Sequence, residues 1–143
     1  LFRIPDSLPT GKYRENFDKV MTDNAGPGHA APGKAKTPEE LEKEKAEAKS
    51  KLDASFRSQS VWDWTMSESV ARSLDAGNIP TVLIVGRFHI DEQGGTVLAL
   101  RQQRPATRIL TVSFVDAWAD TLRDEDKARA DFVIYVGPGQ EED

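Results

Sequence analysis

Three short runs rich in β-branched and aromatic residues constrain this chain more than any other feature: Thr81-Val82-Leu83-Ile84-Val85, Ile109-Leu110-Thr111-Val112-Ser113 and Phe132-Val133-Ile134-Tyr135-Val136. Continuous apolar runs of this length predict strands buried on both faces, as in a parallel sheet. Between them, residues 93–103 read as a helix with Val97, Leu98 and Leu100 on its apolar side, and a short helix is expected around Asp116–Leu122. Strands alternating with helices predict an α/β fold built on a parallel sheet with flanking helices. Three strands are too few to cover a parallel sheet and protect its edges. Residues 1–60 offer helices but no convincing strand. The second half therefore reads as half a sheet, its other strands coming from a preceding segment or from another chain. The opening Leu1-Phe2-Arg3-Ile4-Pro5, without a starting Met, fits an excised fragment better than a processed product.

The division expected is a small helical subdomain over 1–60, carrying a charged insertion, and the α/β half over 61–143. Tyr13, Phe17 and Val20 recur at helical spacing and predict one buried face. Residues 24–36 form a Gly/Pro-rich loop. Thr37-Pro38-Glu39-Glu40 has the chemistry of a capping box with proline in the first turn. The Lys/Glu-rich stretch after it reads as a solvated helix, or else as a charged surface for a partner. From Leu52 the apolar positions Phe56, Trp62, Met66, Val70 and Leu74 predict one long amphipathic helix, or two meeting near Ser58–Ser60, ended by Gly77.

Gly86-Arg87-Phe88-His89 follows the first strand at its carboxyl end, the edge where open parallel sheets bind ligands. Gly86 permits a sharp departure and a close approach of ligand to backbone. His89 then projects from a loop, where a neutral imidazole can ligate a metal or haem iron, act as a base, or stand idle in solvent. Arg87 can pair with an anionic group, whereas Arg101 and Arg104 read as solvated helix-end charges. His29, in the Gly/Pro loop, is either a lid ligand or an ordinary exposed histidine. In Trp62-Asp63-Trp64 the two indoles diverge around the helix, so one is expected against the sheet and the other toward the helical layer. Asp63 is expected at that junction, in a local hydrogen bond. Tyr13 and Tyr135 sit in apolar contexts that favour packing over ligation.

Several classes of function drop out. A net charge of -5, with no basic run interleaved with aromatics, argues against a nucleic-acid surface. With no Cys, disulfides, thiolate sites and covalent haem attachment are excluded. No apolar run approaches the roughly 20 residues of a membrane span, and no signal peptide is visible. No GxSxG, HExxH, Walker or GxGxxG pattern is present, so no catalytic residue is assigned and binding is favoured over catalysis.

Three blocks in order carry a family resemblance: Gln59-Ser60-Val61-Trp62-Asp63-Trp64-Thr65-Met66-Ser67-Glu68-Ser69-Val70, Gly86-Arg87-Phe88-His89, and Ala130-Asp131-Phe132-Val133-Ile134-Tyr135. They resemble the ChaN-like haem-binding uptake family of the Tiki superfamily, its C-terminal part. The resemblance implies haem as cofactor, His89 as iron ligand and Arg87 beside a propionate, with a helical lid over the porphyrin. It also implies a role in iron uptake at the bacterial cell envelope, periplasmic or outer-membrane-associated, often as a lipoprotein. The family's N-terminal half, absent from this chain, would supply the missing strands and further site residues; a homodimer around haem is a further expectation. The wider superfamily implies an alternative, a hydrolase in which His89 binds a divalent metal or serves as base. A third reading is a non-catalytic envelope interaction protein.

Overall fold

The computed structural model describes residues 7–24 and 37–139. Three helices, α1 (Lys12–Asn24), α2 (Pro38–Asp75) and α3 (Gly95–Gln103), precede and flank a parallel pair, β1 (Val112–Val115) and β2 (Phe132–Tyr135). This is a small α/β arrangement. His29 and most of the Gly/Pro loop fall outside the described residues.

The expected capping box forms. Thr37 Oγ1 accepts from the Glu40 amide at 3.3 Å, and Glu40 Oε2 accepts from the Thr37 amide at 2.8 Å. The helix it starts runs unbroken for 38 residues, roughly 57 Å at the rise of an α-helix. Residues 38–51 are exposed throughout, as the charge pattern requires. At the other end Gly77, at φ +85°, closes a Schellman motif: its amide bonds the Leu74 carbonyl and the Asn78 amide bonds the Ser73 carbonyl.

Tyr13 and Phe17 of α1 meet Phe56 of α2 in the aromatic core, with ring centroids 5.6 and 5.0 Å from Phe56, while Leu8, Leu52, Phe88 and Leu98 pack around them. Val20, expected on the same buried face, is exposed instead. The buried stripe of α2 also differs from the apolar periodicity. It is Phe56, Ser60, Asp63, Ser67 and Ala71, and it faces α3. Small residues bring the two helices close, and Ser60 and Ser67 satisfy their hydroxyls on the carbonyls of Phe56 and Trp64. Trp62, which was expected to cover a sheet or a helical layer, is 66% exposed.

The sheet is smaller than expected. The second and third runs form β1 and β2, with β1 starting at Val112 rather than Ile109. Asp131 fixes their register: its Oδ2 accepts from the Thr111 amide and hydroxyl at 2.7 and 2.9 Å. The first run forms no strand. Residues 82–85 make no backbone hydrogen bond with another described residue, and Ile84 is 92% exposed. Its composition suits a ladder, but no strand among the described residues lies beside it to complete one. The short helix expected at Asp116–Leu122 is also absent; that segment turns through bends, with the Ala117 amide on the Val115 carbonyl. Phe114, Phe132 and Ile134 share one sheet face and are exposed.

The crossover between β1 and β2 is pinned by a buried carboxylate. Asp126 accepts from Arg123 Nε and Arg129 Nε, both at 2.6 Å, and from the Tyr135 hydroxyl at 2.9 Å. Tyr135 is thereby committed to structure. The Arg123 guanidinium first, then Arg129 and Tyr135, hold the Asp126 carboxyl well below the usual carboxylate range against the opposing effect of burial.

Two stability outcomes are expected. Phe56→Ala should cost about 3 kcal/mol in urea unfolding, because a large core ring leaves a cavity, while Leu41→Ala on the exposed stretch of α2 should change stability by less than about 0.5 kcal/mol. Asp126 has a folded pKa below its unfolded value of about 3.9. Its contribution is therefore present above that pH and lost as pH falls through the folded value. Asp126→Asn should lower stability at pH 7 and flatten its fall in acid, read from urea midpoints between pH 7 and pH 2.5.

Candidate functional site

Arg87-Phe88-His89 forms a single 3-10 turn directly after the unladdered run. The turn is oriented by its middle residue. Phe88 packs against Tyr13 and Phe17, with centroids 5.3 and 6.1 Å apart, and this turns its neighbour His89 toward α2. There His89 Nδ1 lies 2.8 Å from Asp63 Oδ1. Asp63 is 1% exposed, and it also accepts from Thr96 Oγ1 at 2.8 Å and from the Tyr13 hydroxyl at 2.5 Å. One carboxylate thus gathers α1, α2, α3 and the histidine turn.

A carboxylate accepts, so the 2.8 Å contact suits a ring that carries a hydrogen on Nδ1 and turns Nε2 away from Asp63. The Gln59 side-chain amide also lies 3.1 Å from Nδ1. No described residue bonds Nε2, and the His89 side chain is 22% exposed. The result is an imidazole anchored at one nitrogen and open at the other.

Burial first, then the bond to Asp63, raises the Tyr13 phenol far above its ordinary range, so Tyr13 stays a protonated donor. Its hydroxyl is committed to Asp63 and does not act as a ligand.

The other expected site residues divide. Arg87 is exposed, and no described residue bonds its guanidinium. Gly86 has an ordinary extended backbone, φ −60° and ψ 143°, and a Cβ there would meet only His89 Cδ2 at 3.8 Å. Its backbone does not require glycine, contrary to the sharp departure expected from sequence. The glycines that the site does require are Gly94 and Gly95. A Cβ on Gly94 would lie 2.5 Å from the His89 carbonyl carbon, and one on Gly95 2.7 Å from Tyr13 Cε1 and 2.5 Å from Asp63 Cγ. The adjacent Gly-Gly pair ahead of an apolar run was the available signal. Arg104 pairs with Asp75 across α3 and α2, and Arg101 lies near Asp131, so neither faces His89.

Arg129 ties the site loop to the crossover. Its Nη1 bonds Asp91 Oδ2 at 2.7 Å, and its carbonyl accepts from the Glu92 amide at 2.7 Å, where Glu92 and Gln93 hold φ of 52° and 62°. Among the described residues, no group of three His, Cys, Asp or Glu side chains could hold a metal ion. No helix among them is long and apolar enough to cross a membrane.

A family model described as haem-binding uptake, Tiki superfamily, ChaN, matches residues 2–100. The matched span contains Gln59–Val70 and Gly86–His89, whereas the block Ala130–Tyr135 lies beyond it. No curated protein and no solved structure matches the chain.

Gly95→Ala tests the packing around Asp63. Over-packing at this contact should lower stability by about 1–3 kcal/mol in urea unfolding, while Gly86→Ala should stay near the parent value.

Proposed function

The chain belongs to the ChaN haem-binding uptake family of the Tiki superfamily, and from that premise we propose that it binds haem through His89 Nε2 in the service of iron or haem uptake. The observation that carries this reading is the anchored imidazole: Nδ1 is held by buried Asp63, and Nε2 meets no described residue. Metal-ligating histidines commonly donate their second nitrogen to a carboxylate, which fixes the ring and raises its donor strength.

The donor set fits haem better than a bare ion. A chelated divalent metal needs three or more protein ligands, and no such cluster exists among the described residues. Porphyrin iron brings four nitrogens of its own and asks the protein for one axial group. Bound haem would supply an iron centre with Lewis acidity and one-electron chemistry. The chain's own residues would hold it: His89 through Nε2 and Arg87, exposed on the same turn, against a propionate.

The remaining parts of the proposal concern partners and place. The exposed run 82–84 and the bare face of β1 and β2 suit completion by the family's N-terminal half, which would build a larger parallel sheet. A second copy of the chain, or His29, would supply a further ligand. The location proposed is the periplasmic side of a bacterial envelope or its outer membrane, through a lipoprotein anchor.

The Asp63–His89 pair also has the form of a general-base dyad, which favours the hydrolase as a second reading. Among the described residues, however, no hydroxyl nucleophile bonds His89. Titration of the full chain with haemin should produce a Soret shift that His89→Ala abolishes and Arg87→Ala weakens several-fold. Tight stoichiometric Zn or Mn binding with no Soret change would instead favour the hydrolase.

A further inference from the structure

A cleft between α2 and α3 shares no residue with the histidine cluster. It holds about 280 Å³ and is lined by Trp64, Glu68, Ala71 and Asp75 of α2, with Gln103 and Arg104 at the C-terminal end of α3. We propose that this cleft binds a small primary ammonium ion, an alkylamine in its charged form, with Glu68 as its counter-charge.

The lining residues of α2 follow one another at spacings of four, three and four, so they form a row down one face of the helix. Asp75 and Arg104 pair with each other at the end of that row. Glu68 is then the lining charge that has no ionic partner among the described residues. It is half-buried, and its Oε1 accepts from Trp64 Nε1 at 3.3 Å. That bond holds the carboxylate beside the indole, while no described residue bonds Oε2. Gln103 is half used in the same way. Its Nε2 donates to Oγ of the fully buried Ser67 at 2.6 Å, and its carbonyl oxygen accepts from no described residue. The cleft therefore offers acceptors and a negative charge, with the small Ala71 side chain between them. A primary ammonium brings three donors and the opposite charge. The Trp64 ring adds cation–π attraction. An anion would meet the Glu68 charge, and the one lining cation, Arg104, is already taken up by Asp75. The volume lies just below the roughly 300–1,000 Å³ of drug-sized sites, which suits a short alkyl chain.

The experiment is calorimetric titration of the full chain with butylammonium chloride at pH 7, with 1-butanol as the uncharged analogue. Butylammonium should bind with a Kd of about 1 mM. Butanol should bind at least about tenfold more weakly, and Glu68→Gln, which keeps an acceptor for the indole and removes the charge, should weaken butylammonium by a similar factor. Ala71→Leu should fill the cleft and abolish binding. Urea midpoints check that both variants fold, and Glu68→Gln, away from the buried seam, decides the matter if Ala71→Leu does not. No binding by the wild type, butanol binding as well as butylammonium, or full affinity in Glu68→Gln would each overturn the proposal. Tighter binding of Nα-acetyl-lysine amide than of butylammonium would assign the cleft to a lysine side chain from another polypeptide and overturn the free-amine assignment. All of these outcomes leave the haem reading where it stands.

Discussion

The buried carboxylate of Asp63 is the constraint on which the other elements depend. An uncompensated charge in a protein interior costs several kcal/mol, so each of its oxygens must find a donor. The donors come from sequence positions far apart: Tyr13 on α1, Thr96 on α3 and His89 on the 3-10 turn. Satisfying one side chain therefore brings three segments onto α2. The aromatic cluster of Tyr13, Phe17, Phe56 and Phe88 completes the same junction from its apolar side. Folding of the helical layer and placement of the imidazole are consequently a single event.

A second polar anchor reaches the site from the sheet. Asp126 holds Arg123 and Arg129, and Arg129 holds Asp91 and the Glu92 amide two and three residues after His89. The turn is thus gripped before and after its histidine, by the core through Phe88 and by the crossover through Arg129. Asp131 belongs to this scheme as the residue that sets β1 against β2, which gives the Ala-Asp-aromatic block a role in register.

Local chemistry was legible in the sequence wherever its partners are near in the chain. The capping box at Thr37, the Gly77 stop, the Tyr13–Phe17 face and the strand composition of 132–135 all formed as read. The convergence on Asp63 was not legible, because its partners lie 26, 33 and 50 residues away and no periodicity encodes such a meeting. The apolar spacing of Trp62, Met66 and Val70 misled for a different reason. Hydrophobic patterning reports surfaces that favour burial, whereas α3 docks on the neighbouring stripe of Ser60, Asp63 and Ser67, where small side chains allow closer approach. Thr81–Val85 shows the same gap between propensity and pairing: a β-rich run becomes a strand only beside another.

The position of that run has a thermodynamic corollary. Residues 82–85 lead directly into the turn that carries His89, so any polypeptide that zips onto them also acts on the imidazole. If pairing and ligation prefer the same placement of the turn, each raises the affinity of the other by one common factor. Assembly and cargo loading would then be two readings of a single coupling free energy, with Gly86 as the joint between them.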